Sequence, residues 1–455
     1  MWTTVTSDTK QPADYQLRRV TIDLTHADIR QEIVPCQDLD DFLGGIARSF
    51  KLLAHYEVQD AFAPSAPLIM NLGVFSGTDL MTGLRIFFSA YSPLKVANNG
   101  RPLAMWSAAS DKFGTKVRAA GVDEVIFLGR AQRPVYLLIH RNDTNGLTLS
   151  LEDATDLLEK TTHEKIMQLA DQHPDSHVAA LGPAGEHCQQ NFYAAIACST
   201  VNQLRSRDCK PRFAGRGGMG SIMGSKNLLA IVAQAPDVHR GKSTPALLEA
   251  NKEISRGPGS RNYRDADKGN GNGGTWRNVA GLHPIGALPE MNFWPQGNDR
   301  PVALYRNSME SDYFIKDESC FKCGISCHKN IYAVEEENSR RKPGKFFTKF
   351  DYEPLDLLTI NLGIYDPQQA LEIVELVDQL GFDSISLGVT LGYVMEYNQR
   401  HPQQPIVHGL SFGDFHGACR AIEQAALVSS RRSVRESNAC RRSWVRPLTP
   451  CIAKG

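Results

Sequence analysis

The pattern of apolar and polar positions divides the chain into a strand-rich first half and a helix-rich second half. Arg18–Thr25 (RRVTIDLT), Glu124–Gly129 (EVIFLG) and Pro134–Arg141 (PVYLLIHR) combine strand length with Val, Ile and aromatic side chains, and predict β-strands. Asn227–Gln234 (NLLAIVAQ) is a short, nearly continuous apolar run, as in a strand buried on both faces. Ser150–Gln172 is polar with helical spacing and predicts a helix. Ser255–Trp276 is rich in Gly, Asn and Arg with almost no apolar side chains, and predicts a long loop. Beyond it, Asp366 fits an N-cap, Pro367 the first helical position and Gln369 a capping box. Ala370, Ile373, Val374 and Val377 then form one apolar stripe, and Gly381 fits the position that ends the helix. A second helix follows at once. From about Ser429 the sequence is arginine-rich, without stripe or alternation, and predicts no folded continuation. The fold class is therefore α+β, divided into 1–236, 237–428 and a tail at 429–455.

Composition narrows the function. The 455 residues carry 50 basic and 50 acidic side chains and 42% hydrophobic residues, which suits a soluble protein of two or three domains. No basic stripe interleaved with aromatics appears, so nucleic acid is not expected as a partner. The N-terminal residues show no apolar signal core, and no apolar run reaches the ~18 residues of a membrane span. The expected compartment is the cytoplasm, where clustered cysteines serve as metal ligands sooner than as disulfides.

Four short segments carry candidate chemistry. Cys320, Cys323 and Cys327 stand within eight residues, followed directly by His328. Three thiolates at this spacing can converge on a [4Fe–4S] cluster that needs a fourth ligand from elsewhere. Zinc, with His328 as fourth ligand, is the alternative, although adjacent Cys327 and His328 would be strained as joint ligands. Arg212–Asn227 contains GRGGMG, formally a dinucleotide fingerprint, but its flanks lack the strand and full helix that reading requires. A glycine-rich turn bearing Arg212, Arg216 and Lys226 suits a phosphate cradle; a hairpin without ligand is the alternative. Asp383 or Ser384 fits an N-cap, whereas Asp378 sits in the last turn of a helix, where the dipole disfavours a carboxylate by ~0.3–1 kcal/mol. Glu353 lies among apolar and aromatic residues, where partial burial would suit it to proton transfer.

Taken together and in this order, AGRGGMGSIMGSKNLLAIV, CFKCGISC, DYEPLDLLTINLGI and DQLGFDSIS resemble the aldehyde:ferredoxin oxidoreductase family of tungsten or molybdenum pterin enzymes. GPAGE at 182–186 and MTGLR ending at Arg85 also match, so the resemblance spans roughly 15–425. It implies an N-terminal domain of two related β-layered halves that cradle a metal-bis-pterin, followed by helical domains. Arg85, Arg212, Gly215 and Arg216 would hold pterin phosphates and ring edges from the N-terminal domain, and Asp378, Phe382 and Asp383 would bind one of the two pterins from the central domain. Cys320, Cys323 and Cys327 would bind the [4Fe–4S] cluster, and Glu353 would move protons. The implied reaction oxidises an aldehyde to a carboxylic acid and passes electrons to ferredoxin; a homodimer or a partner subunit fits the same reading. A related reductase acting on another substrate is the alternative. Ala108 and Ser110 stand where the family usually shows an Asn-x-Gly turn. The family's third domain, with a second D-x-x-G-L-C motif and an active-site histidine, is not recognisable. The expectation is a C-terminally truncated or frameshifted member, inactive unless another polypeptide completes it.

Overall fold

The structure is a computed structural model and describes residues 4–7, 17–34, 43–142, 144, 146–188, 190–237, 243–264, 274–294 and 298–427. The expected tail, with Cys440 and Cys451, lies outside them. The chain divides into two compact units between Leu248 and Glu249.

The first unit is a duplication. Its first half runs β2 (Leu17–Asp23), β3 (Asp28–Val34), a helix (Gly45–Leu53), β4 (Leu68–Leu72), β5 (Ile86–Val96), β6 (Pro102–Ala109), a helix (Phe113–Ala120) and β7 (Glu124–Leu128). The second half repeats this order. It runs β8 (Val135–Asn142), β9 (Gly146–Asp153), a helix (Thr162–Gln172), β10 (Ser176–Leu181), β11 (Ile196–Cys198), β12 (Arg212–Ala214), a helix (Met219–Ser225) and β13 (Leu228–Gln234). Strand order repeats as well: β3-β2-β7-β4-β5-β6 in one sheet and β9-β8-β13-β10-β11-β12 in the other. In each half the hairpin's first strand pairs parallel with the last strand, and the other neighbours are antiparallel. A short β1 (Thr4–Ser7) adds to the second sheet along β9. One core joins the halves: Val20, Phe88, Phe113 and Phe127 from the first pack in the same cluster as Leu137, Ile196, Met219 and Ile231 from the second. The two related β-layered halves inferred from the sequence are thus present.

The four predicted strands appear within one or two residues of their expected ends. The predicted helix at 150–172 is corrected. Its first residues belong to β9, because Leu147, Leu149 and Leu151 alternate into the core and pair with β8. The helix starts only after Thr161, whose side chain accepts from Glu164 N–H while the Glu164 carboxylate accepts from Thr161 N–H.

The second unit is mainly helical, with one unanticipated sheet. β14 (Tyr313–Glu318), β15 (His328–Glu337) and β16 (Arg340–Phe350) form an antiparallel meander. The sequence reading missed it because the exposed ends of β15 and β16 are charged and lack apolar alternation. The expected loop at 255–276 is also corrected: Pro258–Arg264 is helical, and Trp276 is buried with its indole N–H donating to Leu304 O at 2.9 Å. Residues 265–273 of that loop lie outside the described set. The two expected helices stand as Pro367–Leu380 and Ser384–Arg400, the first capped by Asp366 and ended by Gly381 at φ 78°. Among the described residues no helix is long and apolar enough to cross a membrane.

Candidate functional site

In the first unit the duplication places the motifs in equivalent loops. MTGLR closes the β4–β5 connection, and GPAGE opens the β10–β11 connection. SAASDKFG and AGRGGMG form the turns from β6 and β12 into the following helices. Arg212 begins β12, half-buried, and Arg216 leaves the turn with an exposed side chain while its backbone N–H donates to Ser107 Oγ on β6 at 3.0 Å. Arg85 is exposed one residue before Ile86, which pairs with Ala109 two residues along β6 from Ser107. Arg85 and Arg216 therefore stand at the same end of β6.

The glycines of the turn have separable reasons. Gly217 and Gly218 are left-handed, at φ 76° and 75°. Gly220 packs its helix against the segment that leads into β11: an added Cβ would lie 2.6 Å from Ala194 O. Gly224 has the same relation to Gly185 of GPAGE. Gly215 has neither constraint, since an added Cβ would meet only Phe213 Cβ, at 3.8 Å. Among the described residues nothing demands glycine there, whereas an external group approaching the backbone would.

One expected contributor is corrected. Lys226 is not a phosphate-facing cation. It is buried, and its ammonium donates to Ala66 O at 2.6 Å, Gly129 O at 3.3 Å and Pro64 O at 3.4 Å. Burial pushes its pKa down to about 8. Glu186 of GPAGE likewise spends its carboxylate inside, on buried Lys165 and on Glu159 N–H at 2.9 Å.

In the second unit the remaining motifs gather at one end of the three-stranded sheet. The cysteines occupy the loop between β14 and β15; Glu318 pairs with His328, Lys329 with Phe350, and Asn330 with Lys349. Cys323 N–H donates to Cys320 O at 3.0 Å, so the loop begins with a tight turn. Cys320 and His328 are buried, and Cys320 Sγ lies 3.3 Å from His328 Nε2. That spacing serves a thiol–imidazole hydrogen bond, and it also approximates the ~3.5 Å expected between two ligands of one tetrahedral zinc. Three soft thiols on one loop fit a thiolate-bound cluster by donor chemistry. Among the described residues, however, no three His, Cys, Asp or Glu side chains are gathered to hold an ion. The backbone of residues 274–276 runs beside this loop: a Cβ on Gly274 would touch Cys327 O, and Thr275 Oγ1 accepts from Tyr352 N–H at 3.0 Å.

Asp378 is explained by the fold. It is buried at the end of its helix and ion-paired with Lys349 of β16, whose charge offsets the unfavourable helix dipole. Glu375, one turn earlier, is half-buried; its desolvation raises its pKa to about 7, and Asp378 adds to the shift. Phe382 is buried, and Asp383 caps the next helix, its Oδ1 accepting from Ile385 N–H and Ser386 N–H at 3.1 Å each.

The expected burial of Glu353 is corrected: its side chain is exposed on the first turn of the helix Tyr352–Leu358. The buried acid of that helix is Asp356, which the sequence reading passed over. Burial raises its pKa to about 7, the Tyr352 hydroxyl bound to it opposes the rise, and Glu353 adds to it. Tyr352, Glu353 and Asp356 line a cavity of ≈ 330 Å³ with Asn292, Phe293, Asn361 and Val389. The available signal was a second acid, Asp356, three residues after Glu353 in YEPLD and so its neighbour on the helix surface.

Comparisons with known proteins agree with these motifs. The family model for the aldehyde ferredoxin oxidoreductase N-terminal domain matches residues 19–235, and that for domains 2 and 3 of the same family matches 250–431. A tungsten-containing aldehyde ferredoxin oxidoreductase of Pyrococcus abyssi is 30% identical over 391 residues, covering 83% of this chain and 58% of its own. The WOR-like subunit of an aliphatic sulfonate oxidoreductase of Pyrococcus furiosus is 27% identical, covering 85% of this chain and 60% of its own. The active-site complex BamBC of benzoyl coenzyme A reductase has a similar fold, with a TM-score of 0.71 at 21% identity over 90% of this chain and 61% of that one. The chain thus spans less than two thirds of the length of these relatives. With both family models matched along most of its length, the chain belongs to the aldehyde ferredoxin oxidoreductase family.

Proposed function

We propose that this chain is the cofactor-holding part of an oxidoreductase that oxidises an aldehyde to a carboxylic acid and delivers the electrons to ferredoxin in the cytoplasm. The observation that carries the reading is the turn at Gly215 and Arg216: an unconstrained glycine beside an exposed guanidinium, with Arg85 at the same strand end. Such a turn suits the phosphate and ring edge of a pterin, which backbone N–H groups and a planar cation bind together. Arg212 would add a third cation, while Asp378, Phe382 and Asp383 would serve the second pterin from the corner between their helices. Asp378 would do so while paired with Lys349. Cys320, Cys323 and Cys327 would hold three corners of a [4Fe–4S] cluster, the fourth ligand coming from outside this loop. The bound tungsten or molybdenum would supply the two-electron chemistry; Glu353, exposed at the cavity mouth, would exchange protons with water.

The sulfonate-oxidoreductase relative favours a second reading, in which the same cradle serves a substrate other than an aldehyde. Anaerobic purification followed by elemental analysis and aldehyde-dependent reduction of a one-electron dye tests both. About four iron atoms per chain with tungsten or molybdenum is the expected outcome, with dye reduction once a completing polypeptide is present. The same metals without dye reduction by any aldehyde would favour the second reading. A protein containing zinc alone would sink both.

A further inference from the structure

The cavity walled by the helix Tyr352–Leu358 holds two acids in opposite situations. Glu353 is exposed at its mouth, and Asp356, one helical turn on, is 1% exposed. Asp356 Oδ1 is buried and has no hydrogen-bond partner among the described residues. A buried carboxylate oxygen without a donor is costly, and a proton on that carboxyl removes much of the cost. The other groups facing the cavity from neighbouring elements, Asn292 and Asn361, are uncharged, and Asn361 gives its amide to Gly388 O at 2.9 Å. Of the charged groups on the packed helices, Glu396 is engaged by Asn292 and Arg400, and Asp378 by Lys349. Neither compensates Asp356.

We propose that Asp356, held by the Tyr352 hydroxyl, is the proton store of this cavity, taking up a proton released during substrate oxidation and exchanging it with Glu353. The proposal rests on the reaction read above. Oxidation of an aldehyde with water to a carboxylate releases two electrons and three protons; the electrons leave to the one-electron acceptor. One proton is carried by Glu353: its O–H bond breaks as an O–H bond forms on the Asp356 carboxylate, leaving Glu353 anionic and Asp356 neutral. The reverse transfer resets the pair, and Glu353 releases the proton to water. Burial favours the neutral acid in Asp356 and hydration favours the anion in Glu353, so the two are suited to store and to exchange respectively.

Infrared difference spectroscopy of the full chain, titrated across neutral pH, reads the store directly. A protonated-carboxyl band should titrate near neutrality and be lost in Asp356→Asn. It should persist in Glu353→Gln and move to higher pH in Tyr352→Phe, because the hydroxyl stabilises the anion. Glu375 contributes a band of its own, so the assignment is the difference between wild type and Asp356→Asn. A spectrum unchanged by Asp356→Asn overturns the proposal. In turnover, Asp356→Asn should lower kcat about 10-fold or more with little change in KM, and should flatten the pH profile near neutrality. An unchanged kcat and profile would equally overturn it. If the wild type oxidises no aldehyde, the functional reading fails, and the infrared titration alone decides whether Asp356 holds the proton.

Discussion

Asp378 shows how a residue placed against its local preference can be settled by one tertiary contact. Its sequence position argues only that a carboxylate at a helix C-terminus costs a few tenths of a kcal/mol; Lys349, 29 positions away on β16, supplies the compensation. Removing that partner should be severe, because a buried charge is left alone. Lys349→Ala is expected to cost about 3–5 kcal/mol by urea unfolding, and a loss below about 1 kcal/mol would show the pair to be solvated. Glu375 and His177 give pH signatures of opposite sign. The Glu375 pKa is raised to about 7 in the folded chain, so its contribution is present at acidic pH and lost as pH rises through neutrality. Glu375→Gln should therefore stabilise the protein above neutral pH, by about 3 kcal/mol at most, and change little in acid. His177 is buried beside Ser199 and its pKa is lowered to about 3, so it folds neutral. Its contribution is present above about 6.5 and lost as pH falls toward about 3. His177→Gln should flatten that acid limb in unfolding midpoints measured against pH. At this scale the sequence was readable for caps, where donor and acceptor lie two or three residues apart. It was not readable for Glu353 and Asp356, because which acid of an i, i+3 pair turns inward depends on packing partners from distant segments.

At the scale of elements, legibility followed range of contact. The helix Pro367–Leu380 announces both its ends locally, as Asp366 and Gly381, and was found where expected. Strand β9 does not: its alternation is masked by the polar helix that follows, and only pairing with β8 and β1 shows its length. The meander β14–β16 is built from local hairpins, but the charged, exposed ends of β15 and β16 left no apolar alternation to read. Two elements lend themselves to direct tests. Asp383→Ala removes the acceptor for two backbone N–H groups and should cost about 0.5–2 kcal/mol, measured by denaturant midpoint. Gly224→Ala forces a methyl onto the Gly185 carbonyl and should cost about 1–3 kcal/mol; no loss would mean that the helix Met219–Ser225 can lift from GPAGE.

For the whole first unit, the repeated strand order shows what the motifs share: four segments that look unrelated in sequence lie in one connection and one turn, each present twice. The copies have diverged in direction. In the second half, the turn after β12 sends Arg216 outward. In the first, the turn after β6 sends Asp111 inward at φ 82°, where its Oδ1 accepts from Lys112 N–H at 2.9 Å and from Val201 N–H of the other half at 2.8 Å. Around it, Lys116 donates to Ala235 O at 2.6 Å, and Lys112 meets Asp237 at 2.6 Å. Ser92 Oγ donates to Gly217 O at 2.8 Å. The seam between the halves is therefore fastened by the very turns that the duplication supplied. One copy became a clasp. The other keeps an exposed side chain but hangs by its backbone from Ser107 and Ser92 on the opposite half. A molecule gripped by Arg216 would thus be felt as tension across the seam. Slower amide exchange at Ser107, Val201 and Gly217 would register its arrival even where no turnover can be measured.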